Sequence, residues 1–293
     1  MLRAPLLALA GNRWLGSRLP RSAVGRRMAR RFIPGERLED AVAAARRLHE
    51  DGLATVLTHL GEDVRTPDGA DDAATGYESA LGALAAEGLE PQVSVKPTHL
   101  GLALAADSAL ERIDGLARSA KDSGFVWIDM EGSACTEATV ALYERVRRAH
   151  PNVGLCLQAY LKRTPADVDR LLPIKPAVRL VKGAYREPAS IAWTRKEDVD
   201  RAYAELARQL HEGGAQVALA THDVELIERI GGDCEVQMLY GIRADQQRRL
   251  AASGRRVRVL ISYGSEWFAW YMRRLAERPA NVLFALRAVA NRS

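Results

Sequence analysis

Eight short apolar runs recur along the chain, and the segments between them have the spacing of amphipathic helices. Most of the runs end in a polar or charged residue. Strands that alternate with helices are typical of parallel sheets, and eight such units can close into a barrel. The pattern predicts an α/β fold, a (βα)8 TIM-like barrel, with strands within 54–60, 92–99, 125–132, 153–160, 177–185, 216–223, 234–241 and 255–264.

The intervening segments predict the helices. Leu38, Val42, Ala45 and Leu48 recur at the spacing of one helix face, which indicates a helix ahead of the first strand. We therefore expect an N-terminal helical arm over 1–50 and a catalytic barrel domain over 51–293. Helices are predicted over 37–50, 73–87, 107–123, 136–149, 165–172, 197–212, 223–230, 244–253 and 266–278.

Charge is spread unevenly along the 293 residues, of which 47% are hydrophobic. The net charge is +5, but the first 35 residues hold eight arginines and no acidic residue, so the remainder carries about −3. The barrel therefore has no basic stripe for nucleic acid. Cys135, Cys156 and Cys234 lie far apart and form no CxxC motif, so we expect free thiols and neither a disulfide nor a metal site.

The arginine-rich start is typical of a transit peptide or of a basic amphipathic arm. Leu6, Leu7 and Leu9 can share an apolar face with Trp14, and no small-residue cleavage site precedes the helix at 37–50, which favours the arm. No apolar run approaches the roughly 20 residues that span a bilayer. We expect a cytoplasmic protein, with peripheral contact at the inner face of the membrane through this arm.

Catalytic groups of a (βα)8 barrel lie at the carboxyl ends of its strands. Lys96 and Asp129 end the second and third runs, on one rim. The lysine is suited to anchor a carboxylate or, once buried, to act as a Schiff-base nucleophile. Asp129 is suited to partner the lysine, to position a substrate amine or to act as a base. A structural ion pair between the two is the alternative.

The run 177–185 delivers Arg179 and Lys182 and then a small-residue turn, Gly183-Ala184, where a ligand can approach the backbone closely. Two cations beside exposed amides suit a phosphate or pyrophosphate, and a solvated surface pair is the alternative. An unpaired arginine inside an apolar strand is costly, so Arg179 requires an anionic partner.

Thr221 and His222 end the sixth run and offer hydrogen bonds to a cofactor. Three roles stay open for His222: ligand contact, general base or simple strand capping. Gln158, near the end of the fourth run, offers a donor and an acceptor to a ring edge. The chain contains no GxGxxG, Walker A or HExxH motif, so any nucleotide cofactor is bound without a Rossmann or P-loop cradle.

An amphipathic helix is predicted near the carboxyl terminus, within 265–281. Trp270, Arg273, Arg274 and Glu277 recur at helical spacing and share one face. Paired guanidinium groups match a carboxylate bidentately. A solvated helix face is the alternative, but the tryptophan on the same face favours a binding role.

Six segments in order resemble the proline dehydrogenase family: VSVKPTHLG, VWIDMEGS, CLQAYLKR, VRLVKGAY, LATHD and YMRRLAERPAN. The similarity extends from about residue 30 to 290. It implies FAD held non-covalently in a distorted (βα)8 barrel whose last helix lies over the mouth. It also implies oxidation of L-proline to Δ1-pyrroline-5-carboxylate, by hydride transfer from C5 to flavin N5, with a membrane quinone as electron acceptor.

The resemblance assigns roles to individual residues. Lys96, Arg273 and Arg274 would bind the substrate carboxylate, with Asp129 beside the substrate and Arg179 against the flavin. Tyr185 would line the site, and Glu277 would order the arginine pair. Further flavin contacts would come from Met130, Gln158, Lys182, Gly183, Ala184, Thr221 and His222.

Three positions depart from the family pattern. Leu260 stands where several members carry a tyrosine over the substrate ring, and Trp270 replaces another tyrosine. Arg186 stands where some members have a tryptophan near the adenine. The first two positions shape the ring pocket, so a 4-hydroxylated or larger cyclic amino acid remains an alternative substrate.

Two other classes of function remain open from the residues alone. One is a Schiff-base aldolase or lyase that uses Lys96 or Lys182. The other is a non-catalytic barrel that binds proline or flavin. The retained Lys96, Asp129, Arg273 and Arg274 favour the flavoenzyme over both.

Overall fold

Eight parallel strands form the centre of the molecule in the computed structural model, which describes residues 32–120 and 123–267. The strands pair in chain order, and β8 pairs with β1 to close the barrel, as the sequence predicts. The strands are β1 Ala54–His59, β2 Gln92–Val95, β3 Phe125–Ile128, β4 Val153–Gln158, β5 Ala177–Val181, β6 Gln216–Ala220, β7 Glu235–Leu239 and β8 Val257–Tyr263.

Helices surround the barrel. One helix precedes β1 and packs against β1 and β8, and it buries Ala41, Val42, Ala44 and Ala45. Within the described residues, no helix is both long and apolar enough to cross a membrane. The helices are α1 Leu38–Glu50, α2 Pro67–Ala86, α3 Ala106–Ala120, α4 Ser133–Ala149, α5 Thr164–Leu171, α6 Lys196–Glu212, α7 Val224–Ile230 and α8 Ala244–Ala252.

Element boundaries differ from the sequence-based ones where capping and turn chemistry decide them. Strand β2 ends at Val95, well before the end of the predicted run, because Pro97 has no N–H to donate and the chain turns there. Helix α2 begins at Pro67 and not at 73, because the Thr66 hydroxyl accepts a hydrogen bond from Gly69 N at 3.2 Å. Proline in the first turn after such a cap is a strong helix start.

Alternate residues of each strand point into the barrel, where an apolar layer crosses the interior. The layer consists of Val56, Trp127 and Ala218, with Leu260 packed against them. The indole fits because β4 has no side chain at Gly154, where a Cβ would lie 2.6 Å from Cζ3 of Trp127. The missing side chain on one strand therefore makes room for the largest one on its neighbour.

A buried ion pair closes the interior at the amino-terminal ends of the strands. Arg258 is 1% exposed. Its Nε and Nη2 each donate to the Glu235 carboxylate at 2.9 Å, and Nη2 also donates to Glu90 at 2.8 Å. Nη1 donates to the carbonyl of Thr55 at 2.9 Å. Beside this pair lies a cavity of about 410 Å³, whose lining includes Phe125 and Trp127.

Removal of the Glu235 charge leaves the Arg258 guanidinium buried with too little compensation. We expect Glu235→Gln to lower the free energy of unfolding by about 3–5 kcal/mol, measured by urea denaturation at pH 7. Glu205→Gln is the matched control, since Glu205 pairs with Arg208 on the exposed surface, and we expect it to leave the midpoint unchanged. Equal effects of the two substitutions would contradict this account.

Candidate functional site

Lys96 and Asp129 meet at the carboxyl-terminal rim, as the sequence predicts. Lys96 follows β2 directly and Asp129 follows β3 directly. The Lys96 Nζ lies 3.9 Å from Asp129 Oδ2, and the two side chains are 13% and 21% exposed. At this distance the ammonium keeps hydrogen-bonding capacity for a further anion. The lysine is therefore placed to attract a carboxylate at the mouth of the barrel.

Arg179 points from β5 into the barrel and is 3% exposed. The sequence predicts that this arginine has an anionic partner, and the structure shows that the partner is Asp129. Its Oδ1 lies 3.0 Å from Nη1 of the arginine. The same Nη1 donates to the Ser94 hydroxyl at 2.5 Å, and Nε donates to Gln237 Oε1 at 2.5 Å. Ser94 in turn donates to Asp129 Oδ1 at 2.7 Å. Strands β2, β3 and β7 thus hold this one guanidinium group.

The environment of Arg179 is only partly compensated. Burial lowers the pKa of its guanidinium, and the Asp129 carboxylate opposes that shift. The Cζ atom lies 4.7 Å from the centre of the Trp127 ring, a favourable contact for a cation. Its Nη2 is buried and has no hydrogen-bond partner in the described part of the chain. A buried donor left in this state costs about 1–3 kcal/mol, which a ligand acceptor would offset.

Gln158 provides an acceptor in the same half of the barrel. Its Nε2 donates to the carbonyls of Met130 and Glu131 at 3.2 and 3.3 Å, which fixes the orientation of the amide. Its Oε1 is buried without a partner among the residues described. Among the described residues, the unpaired buried groups of the interior thus include a donor from Arg179 and an acceptor from Gln158.

The turn after β5 requires glycine. Gly183 has a φ of +112°, and a Cβ there would lie 2.1 Å from Cδ1 of Tyr160. No other residue fits, because the conformation is left-handed and the ring of Tyr160 packs against the backbone. Ala184 follows on the surface and Tyr185 is half-buried. The group that approaches Gly183 in the structure is Tyr160, and approach of a ligand to this turn stays a prediction.

Lys182 follows β5 directly, and its side chain contacts α6 and the residue that precedes α7 instead of Arg179. Its Nζ donates to Asp200 Oδ1 at 2.5 Å and to Asp223 Oδ2 at 2.7 Å. Burial opposes ionisation of Asp223, but the hydrogen bond and the charge of Lys182 prevail and lower its pKa to about 2. Arg179 and Lys182 belong to one sequence motif, but they are three positions apart, so in an extended chain their side chains point to opposite sides.

Thr221 and His222 join the ends of β6 and β7. The Thr221 hydroxyl accepts from Asp223 N at 3.2 Å. The His222 Nε2 accepts from Leu239 N at 3.4 Å, and its carbonyl accepts from Arg243 at 2.8 Å. Asp223 caps α7 through Leu226 N. The role of His222 stays a prediction.

Leu260 lies in the apolar layer around Trp127 and not on the rim. The remaining predicted residues, Trp270, Arg273, Arg274 and Glu277, lie outside the residues that the structure describes, as do positions 1–31. Their roles stay predictions.

Several residues of the site were missed from the sequence. Ser94 and Trp127 each precede a predicted site residue by two positions, and Gln237 lies on β7, where no site residue was predicted. Ser94 and Trp127 could have been predicted from strand alternation, since residues two positions apart in a strand face the same side. Thr98 and Glu131 follow β2 and β3, and only the fold shows that they meet.

An aromatic cluster supports Lys96 from the side of β1 and β8. The His59 ring stacks on Tyr263 with 5.1 Å between centroids, and His99 lies 5.5 Å from His59. The Tyr77 hydroxyl lies 3.4 Å from His99 Nδ1 and donates to the His59 carbonyl at 3.1 Å. Burial lowers the pKa of His99 to about 4, and the neighbouring His59 and Lys96 add to the effect.

A closed barrel with charged groups gathered at the carboxyl ends of its strands defines a (βα)8-barrel enzyme. The comparison with known sequences assigns this enzyme to a family. A family model described as proline dehydrogenase matches residues 41–287, and the chain belongs to that family. It is an oxidoreductase of proline oxidation, the first step of proline catabolism.

Relatives agree in length as well as in sequence. The chain is 35% identical over 300 residues to proline dehydrogenase 1 of Bacillus subtilis strain 168, covering 99% of each chain. It is 36% identical over 278 residues to the proline dehydrogenase of Deinococcus radiodurans, covering 89% of this chain and 90% of that one.

A solved structure is similar in fold. The proline utilization A (PutA) protein of Bdellovibrio bacteriovorus superposes with a TM-score of 0.79 at 24% identity, over 86% of this chain. The chain spans 33% of the length of that longer protein.

The buried histidine predicts a pH dependence of stability. The pKa of His99 falls from 6.5 to about 4 on folding, so the unfolded chain binds more protons between these values. Its contribution is complete above pH 6.5 and is lost as the pH falls towards 4. We expect the free energy of unfolding to decrease over this window, and to decrease less in His99→Asn, by urea denaturation. The exposed His49→Asn serves as control and should retain the wild-type slope.

Proposed function

We propose that the protein is an FAD-dependent dehydrogenase that oxidises L-proline to Δ1-pyrroline-5-carboxylate. The observation that carries the cofactor assignment is the unpaired donor and acceptor inside the barrel, Arg179 Nη2 and Gln158 Oε1. An isoalloxazine ring has carbonyl and ring-nitrogen acceptors and an N–H donor, so its edge fits both groups. When bound, FAD supplies the acceptor for a hydride from C5 of the substrate ring.

The other proposed flavin contacts are on the same rim. The pyrophosphate would lie near Gly183 and Ala184, on the side of the turn that Tyr160 leaves uncovered, with Lys182 as the nearby cation. Met130, Thr221 and His222 complete the proposed set. Arg179 would place its positive charge where the reduced ring gains negative charge, an effect that needs no rearrangement because strands β2, β3 and β7 already hold the side chain.

Substrate binding would depend on charge at both ends of the amino acid. Lys96, together with Arg273 and Arg274, would bind the carboxylate, and Glu277 would order the arginine pair. The Asp129 carboxylate, fixed by Ser94 and Arg179, would hold the ring amine, so that C5 is oriented towards the flavin. Tyr185 and Trp270 would line the ring pocket, and Leu260 would lie beneath it in the apolar layer.

The electrons leave the enzyme in the second half of the proposed cycle. A membrane quinone is the acceptor that the family implies, and the arginine-rich residues before 36 would provide peripheral contact with the inner face of the membrane.

Visible spectroscopy tests the function directly. We expect the purified protein to carry a flavin absorption band that bleaches on anaerobic addition of L-proline and returns with a quinone analogue. Chromatography of the released cofactor should identify FAD. A colourless protein that stays inactive with added FAD, L-proline and a dye acceptor would refute the proposal, and borohydride trapping of a carbonyl substrate on the protein would favour the lyase alternative.

The carboxylate anchor is testable by substitution. Lys96→Met should raise KM for L-proline roughly 10- to 150-fold, the loss of about 1.5–3 kcal/mol expected for a charged hydrogen bond, with the flavin spectrum unchanged. Lys175→Met, an exposed lysine just before β5, is the matched control. An unchanged KM for Lys96→Met would rule out the anchor role.

A further inference from the structure

The segment that carries Lys96 is attached on both sides to the segment that follows β3. Before the lysine, Asp129 N donates to the Val95 carbonyl at 2.8 Å, which extends the strand pairing by one bond. After the lysine, Thr98 N donates to Glu131 Oε2 at 3.0 Å, and the Thr98 hydroxyl donates to Glu131 Oε1 at 2.7 Å. The backbone of Lys96 is therefore fixed between two points of attachment.

A third loop joins at the same hydroxyl. Asp63 N donates to Thr98 Oγ1 at 3.1 Å, so the threonine oxygen accepts from the loop after β1 and donates to the loop after β3. Asp63 has a φ of +54°, a conformation that non-glycine residues rarely adopt, and it persists where the surroundings hold it. Gly61, two residues earlier, lies so close to the ring of His99 that a Cβ would be 2.3 Å from Nε2.

Both members of the central pair are buried, Thr98 at 3% and Glu131 at 5% exposure. Burial raises the pKa of Glu131, and the two hydrogen bonds from Thr98 and the charge of Lys96 oppose that shift. Both carboxylate oxygens accept, which an ionised group does well. The two hydrogen bonds from Thr98 thus offset the energetic cost of burying the Glu131 carboxylate.

We propose that Glu131 and Thr98, which we name the loop clamp, are positioning residues that fix Lys96 for the substrate carboxylate. This inference rests on the proposed function, since it requires that Lys96 binds the acid group of proline. The clamp does not touch the substrate. It fixes the position of the Lys96 Cα, and the position of the Cα determines where the ammonium group lies relative to Asp129.

Substitutions of the same size separate the hydrogen bonds from packing. Thr98→Val removes the hydroxyl at constant volume, and Thr98→Ser retains it. Glu131→Gln brings an amide N–H to one of two positions that now face donors. Thr139→Val is the matched control, because Thr139 is fully buried on α4 and its hydroxyl makes no hydrogen bond within the described residues.

The expected result is a split between KM and kcat. Thr98→Val and Glu131→Gln should each raise KM for L-proline about tenfold, with kcat changed less than about threefold, whereas Thr98→Ser and Thr139→Val should stay near wild type. The Kd of tetrahydrofuran-2-carboxylate, a ring acid that cannot form the imine, should increase by the same factor in calorimetry.

A double-mutant cycle tests whether the clamp acts through the lysine. In a Lys96→Met background, Thr98→Val should raise KM no further. An equal increase in both backgrounds, or Thr98→Val behaving like Thr139→Val, would overturn the proposal.

Hydrogen exchange gives a readout that requires no turnover. The amides of peptide 92–104 should exchange faster in Glu131→Gln than in wild type, and unchanged exchange would overturn the clamp as well. If the wild-type protein itself fails to oxidise L-proline, the proposed function is the claim that falls, and the clamp's role in substrate binding falls with it. That result is seen without any variant, so the two failures are distinct.

Discussion

The guanidinium of Arg179 is a full charge inside a barrel, and the arrangement of the interior follows from the need to compensate it. Asp129 supplies the opposite charge, Ser94 and Gln237 supply acceptors, and the Trp127 ring lies against the cation. These groups come from three different strands, so the pairing register of the whole barrel must be correct before the charge is satisfied. The cost of a misplaced strand is thus an unpaired buried ion.

The side-chain amide of Gln237 connects the hydrogen bonds of Arg179 to those of the second buried arginine, Arg258. Gln237 accepts from Arg179 and donates to Glu235 at 2.7 Å, and Glu235 binds Arg258 on the opposite side of the apolar layer. An arginine cannot accept and a carboxylate cannot donate, so the amide has only one orientation. One hydrogen-bonded network therefore connects the carboxyl-terminal and amino-terminal ends of the strands, although the Trp127 indole lies between them.

Sequence patterns located the strands because alternation is a local property, and six ordered motifs led to the family. They also placed Lys96 and Asp129 on one rim correctly, since parallel strands share a direction. Contacts across the barrel could not be read in this way, because they depend on which residues the closed sheet brings opposite each other. The contacts of Arg179 on β5 with Ser94 on β2 and with Gln237 on β7 are of this kind.

Trp127 stands between the mouth and the cavity of about 410 Å³ at the other end, with Arg179 on one face. The indole fills the cross-section of the barrel between its two ends, and it packs against Gly154, which has no side chain to occupy that space. Within the described residues, the indole therefore separates the rim that carries Lys96 and Asp129 from the cavity beside Arg258.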